Sequence, residues 1–82
     1  MSHNVDLKGL LEYIIKNLVS NPDEVAISQL EKEGAMVFEL RVSEEDRGRI
    51  IGKQGKTIKS IRKLLSAAAS GSERRVVLEL VE

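Results

Sequence analysis

Residues 47 to 63 read Arg-Gly-Arg-Ile-Ile-Gly-Lys-Gln-Gly-Lys-Thr-Ile-Lys-Ser-Ile-Arg-Lys, and this stretch holds the residue types and spacing that could do chemistry. Seven of the seventeen are basic and none is acidic. At the centre stands Gly52-Lys53-Gln54-Gly55. With no Cβ at either end, the backbone of such a tetrad can take positive φ and admit another backbone closely. A helix beginning near Lys56 would turn unpaired N–H groups and its positive dipole end toward the bend, which favours an anion there. Lys53 and Lys56 add mobile positive charge at the same point. The chemistry implied is the holding of phosphates.

Bond-breaking chemistry finds little support. The chain has no cysteine, and its single histidine, His3, sits in the N-terminal tail. Glu44, Glu45 and Asp46 form the obvious carboxylate cluster, and a helix start explains them. Thr57 and Ser60 have no base within their local motif. The tetrad also lacks the rest of a nucleotide-binding P-loop. No enzyme, no metal site and no cofactor is expected.

The elements that must position the tetrad follow from periodicity. From Val5 to Ser20, Leu7, Leu10, Leu11, Ile14, Ile15 and Leu18 make one apolar helical stripe, with Asn4 as a cap and Pro22 as a stop. Glu24 to Lys32 reads as an edge strand and Met36 to Ser43 as a second strand. Glu33-Gly34 supplies the turn of a hairpin between them. In the second strand Met36, Phe38, Leu40 and Val42 share one face, and Val37, Glu39, Arg41 and Ser43 the other. Ser43-Glu44-Glu45-Asp46 resembles a capping box that opens a short helix to about Ile50. After the tetrad, Ile58, Ile61, Leu64, Leu65 and Ala68 mark a helix to about Ala69, with Lys56, Lys59 and Lys63 on another face. Gly71 ends it, and Arg74 to Val81 alternates as a last strand. The order helix, strand, strand, helix, helix, strand makes an α+β domain, most economically a sheet covered on one face by three helices.

Size and charge fit that picture. Eighty-two residues allow one small domain, residues 1–82, without a second unit. Net charge is zero, which taken alone argues against nucleic acid. The distribution overturns that reading, because seven of the thirteen basic residues fall within 47–63 and all thirteen acids lie elsewhere. No secretory signal is evident and no apolar run is long enough to span a bilayer, so a cytoplasmic protein is expected.

The pattern Ile50-Ile51-Gly52-Lys53-Gln54-Gly55 with Ile58 three residues on, in a basic segment, resembles the signature of a KH domain. The element order matches the type II KH fold (α-β-β-α-α-β), with a three-stranded mixed sheet. The closest likeness is to small bacterial stand-alone KH proteins of the KhpA kind. That resemblance implies a single-stranded RNA-binding protein that clamps about four nucleotides on its Gly-x-x-Gly loop. It assigns RNA contact to Arg49, Ile51, Gly52, Lys53, Gln54, Gly55, Lys56, Ile58 and Lys59. Ile51 and Ile58 fit either core or base contact. The resemblance also implies a post-transcriptional regulator or RNA chaperone, acting as a homodimer or as a heterodimer with a KhpB-like KH protein.

The only aromatics, Tyr13 and Phe38, lie outside the basic segment, so base recognition must use aliphatic contact and hydrogen bonds instead of stacking platforms. Two rival readings stand beside this one. A helix, a Gly-containing turn and a basic second helix also describe a helix-turn-helix reader of duplex DNA. The apolar first helix would also suit a protein–protein adaptor in which RNA binding is vestigial.

Overall fold

The computed structural model describes residues 6–69 and 75–81. Helix α1 (Leu7–Leu18) is followed by a 3-10 turn (Pro22–Glu24), strand β1 (Ala26–Lys32) and strand β2 (Ala35–Arg41). Helix α2 (Glu44–Ile51), a second 3-10 turn (Lys53–Gly55), helix α3 (Lys56–Ala68) and strand β3 (Arg75–Leu80) complete the chain. The sheet order is β1-β2-β3, antiparallel between β1 and β2 and parallel between β2 and β3. This is the α+β, mixed three-stranded arrangement that the element order predicts.

The hairpin turn is as tight as a hairpin allows. Lys32 pairs with Ala35, leaving Glu33 and Gly34 as a two-residue loop, both at positive φ (50° and 79°). Two consecutive positive φ values define the primed turn whose twist matches that of the flanking strands. Gly34 suits it; Glu33 adopts it at a cost.

One face of the sheet carries the core. Ile27 of β1, Phe38 and Leu40 of β2 and Leu78 of β3 pack with Leu11 and Ile15 of α1, Ile50 of α2 and Ile58, Ile61 and Leu65 of α3. Phe38 and Leu40 are completely enclosed, as are Leu11, Ile15 and Ile50. The alternation therefore puts the expected face of β2 inward. Val42 stays buried just past the end of that strand. Val37, assigned to the opposite face, is also buried, with Leu30 and Val77 as its register partners on the two neighbouring strands.

Boundaries move in small, explicable ways. The N-cap of α1 is Asp6, whose carboxylate accepts the Gly9 N–H at 2.9 Å. Asn4 and Val5, read as cap and helix start, lie outside the described residues, as do Gly71 and Arg74. Gly9 belongs to the cap as well: a Cβ there would sit 2.9 Å from the Asp6 carboxyl carbon. The strand read from Glu24 begins at Ala26, because Pro22 favours the 3-10 turn, which Val25 N–H closes on Pro22 C=O at 3.2 Å.

Candidate nucleic-acid interface

The tetrad is an open backbone bend between α2 and α3. Gly52 ends α2 with φ 77° and ψ 172°, a region essentially closed to residues with a Cβ. Gln54 and Gly55 follow with positive φ (58° and 74°). The bend is closed by Gly52 N–H on Gly48 C=O at 2.8 Å, Gly55 N–H on Gly52 C=O at 3.1 Å, and Lys56 N–H on Lys53 C=O. The N–H groups of Lys53 and Gln54 take no part in those bonds. The Lys56 N–H, counted from sequence among the free donors, is committed to the turn. Both Lys53 and Gln54 side chains are exposed, and so is Lys56.

Four lysines lie in the bend and along the helix that leaves it. In α3, Ile58, Ile61 and Leu65 face the core while Lys56, Lys59 and Lys63 project from an exposed face. Among the described residues no carboxylate pairs with these three or with Lys53; the Lys16–Glu12 pair of α1 is elsewhere. Their charge is therefore uncompensated locally, as an anion site requires.

The arginines divide by task. Arg62 donates through Nε and Nη2 to Leu78 C=O, both at 3.2 Å, and Arg47 donates through Nη1 to Val81 C=O at 2.7 Å. Two of the seven cations thus tie α3 and α2 to the β3 strand and its exit. Arg49 is exposed on the last turn of α2, where its Nη1 donates to Ser20 Oγ at 2.9 Å. The two candidate apolar contacts also separate. Ile58 belongs to the core cluster, whereas Ile51 is 37% exposed beside Gly52. Of the two, Ile51 is the one whose side chain is open to solvent at the bend.

Sequence reasoning missed the role of Asp46. It is completely enclosed, and no ion pair with a described residue holds it. Its carboxylate accepts Ser20 N–H at 2.9 Å, Asn21 N–H at 3.0 Å, Asn21 Nδ2 at 3.1 Å and Ser43 Oγ at 2.9 Å. Ser43 caps α2 as expected by accepting the Asp46 N–H at 3.3 Å, and the Asp46 carboxylate, besides taking the Ser43 hydroxyl, reaches beyond the cap to the exit of α1. The Ser20 N–H leads the interactions that hold this carboxyl below the usual carboxylate value; burial opposes them, and Ser43 and Asn21 assist. The Ser-x-x-Asp spacing flagged the cap. Nothing local pointed to Ser20 and Asn21, which are 26 and 25 residues away along the chain.

Among the described residues no group of three or more His, Asp or Glu side chains is placed to hold a metal ion. Nor is any helix among them long and apolar enough to cross a membrane. What the arrangement offers is a cationic, partly unpaired stretch of main chain beside an exposed isoleucine.

Fold and bend together define a type II KH domain. A family model described as the KH domain of KhpA/KhpB matches residues 8–80. Relatives extend the match over nearly the whole chain. This chain is 49% identical to an RNA-binding protein KhpA of Chlamydia pneumoniae over 93% of its length and 97% of the relative. It is 47% identical to the Clostridium acetobutylicum KhpA (92% of this chain, 100% of that one) and 43% identical to that of Thermotoga maritima (92% and 99%). The chain belongs to the KhpA/KhpB KH-domain family. No solved structure gives a significant match.

Proposed function

We propose that this chain is a single-stranded RNA-binding protein that holds the sugar–phosphate backbone on the Gly52–Gly55 bend. The observation that carries this reading is the pair Lys53 and Gln54: exposed side chains on a left-handed bend, with neighbouring lysines unpaired. The backbone N–H groups of these two residues and the ammonium groups of Lys53, Lys56 and Lys59 grip consecutive phosphates. Arg49 flanks the path, and Ile51 meets a base. Gly52 and Gly55 let the nucleic-acid backbone approach closely. The names of the relatives, RNA-binding proteins, support the same ligand.

A footprint of about four nucleotides gives weak binding and little selectivity from one domain. We therefore read the working form as a dimer, or a pair with a KhpB-like KH protein, since linked modules raise effective concentration without new contacts. The exposed side chains of Leu64 (54%) and Tyr13 (70%) leave apolar surface for such pairing. Post-transcriptional regulation or RNA chaperoning in the cytoplasm is the biological role that fits.

The test is a titration of a fluorescent eight-nucleotide uridine RNA, repeated at several salt concentrations and in competition with a 20-base-pair DNA duplex. Three neutralised phosphates predict a log–log salt slope of about −2. The RNA should hold against the duplex. Preferential binding of the duplex would favour the helix-turn-helix reading, and absence of RNA binding would favour the adaptor.

A further inference from the structure

Helix α2 ends in two adjacent isoleucines that differ completely in environment. Ile50 is enclosed, and Ile51 is 37% exposed. Neighbours on a helix lie about 100° apart around its axis. A roll of α2 by one position would exchange the two, at almost no difference in buried apolar area. Hydrophobic burial therefore does not decide which isoleucine faces the core. The rest of α2, Glu44-Glu45-Asp46-Arg47-Gly48-Arg49, offers no other apolar side chain to fix the roll. An eight-residue helix has little rigidity of its own to resist it.

Polar bonds supply the missing constraint: Arg47, at the helix edge, reaches Val81 C=O through a long side chain, and Asp46 is the one held inside. It and Ile50 are the two buried residues of α2, and they stand four apart on one face. Rolling the helix would drag an ionised carboxylate away from the three donors of Ser20 and Asn21 and leave both backbone N–H groups without it, a far larger penalty than any isoleucine exchange. Buried polar groups of this kind set register in other helical contexts at some cost in stability. Two further bonds run from the same segment to α2, Asn21 Nδ2 to Glu45 Oε1 at 3.0 Å and Arg49 Nη1 to Ser20 Oγ. Ser20 and Asn21 are in turn anchored by the end of α1 and the 3-10 turn, where Val19 N–H reaches Ile15 C=O and Glu24 N–H reaches Asn21 C=O.

We propose that Asp46 is a positioning residue for RNA binding: its bonds to Ser20 and Asn21 set the roll of α2, and so select Ile51 and Arg49 as the side chains presented beside the Gly52–Gly55 bend. This rests on reading that bend as the RNA site.

The experiment uses the full chain with 13C-labelled isoleucine methyls and a soluble paramagnetic probe, alongside affinity for the eight-nucleotide uridine RNA. It compares the wild type, Asp46→Asn, Asp46→Leu and Ile51→Ala at a temperature where circular dichroism shows each folded. In the wild type the probe should broaden Ile51 and spare Ile50. In both Asp46 variants that contrast should shrink, and affinity should fall about tenfold, the worth of roughly one well-placed apolar contact. Ile51→Ala should lose similar affinity with Ile50 still shielded. A folded Asp46 variant that keeps both the contrast and the affinity overturns the proposal; should Asp46→Leu not fold, Asp46→Asn decides alone. If the wild type fails to bind RNA, the RNA reading falls while the methyl contrast still reports on the roll.

Discussion

Gly52 and Thr57 are in contact across the bend: a Cβ built on Gly52 would lie 2.6 Å from Thr57 Cβ and 2.8 Å from its backbone nitrogen. Gly55, at the other end of the tetrad, has open space around it and only its positive φ to satisfy. The two glycines therefore serve different needs. Gly52→Ala should cost roughly 2–4 kcal/mol, from backbone strain together with overpacking. Gly55→Asn should cost about 1 kcal/mol or less, since Asn visits the left-handed region readily. Urea unfolding of both variants checks the ordering, and equal losses would contradict it.

The β1–β2 hairpin carries a correctable strain. Glu33 sits at φ 50° in a two-residue turn whose first position favours Asn. Glu33→Asn should stabilise the domain by about 0.5–1 kcal/mol. It lies on the hairpin and should leave RNA affinity unchanged. A lower thermal midpoint for the variant would count against the turn assignment.

Acid should weaken the junction of α1 and α2 first. Asp46 is held below the ordinary carboxylate value of 3.8, chiefly by the Ser20 N–H. A carboxyl whose folded value is depressed contributes stability that is complete above the unfolded value and is lost as pH falls through the lower, folded one. Its contribution should thus be constant through neutral pH and disappear progressively below 3.8. Asp46→Asn removes this titration, so its stability should fall less steeply over the same acid range than that of the wild type. Parallel acid limbs in urea unfolding would remove Asp46 from the account.

Most of the fold was legible because its signals are local and periodic. The stripe Leu11-Ile15, the alternation Phe38-Leu40 and the repeat Ile58-Ile61-Leu65 each name a buried face by spacing alone, and Glu33-Gly34 names its turn. The tetrad was legible for the same reason: glycine marks where φ must be positive. What escaped depends on contacts distant in sequence. Arg47 and Arg62 looked like free cations until β3 folded beside their helices, and Asp46 looked like half of a capping box. Its distant partners, Ser20 and Asn21, come within reach only when α1 has packed. Ile51 and Ile58 were ambiguous because either isoleucine suits either environment; tertiary packing enclosed Ile58 and left Ile51 outside.

The account stands most directly on Lys53 and Gln54. The double variant Lys53→Asp with Gln54→Asp puts two negative charges on the bend, where both side chains are exposed and support no packing. Its circular dichroism and thermal midpoint should match the wild type, and binding of the eight-nucleotide uridine RNA should be lost. A well-folded double variant that binds this RNA as the wild type does would contradict the claim that the Gly52–Gly55 bend is where RNA is held.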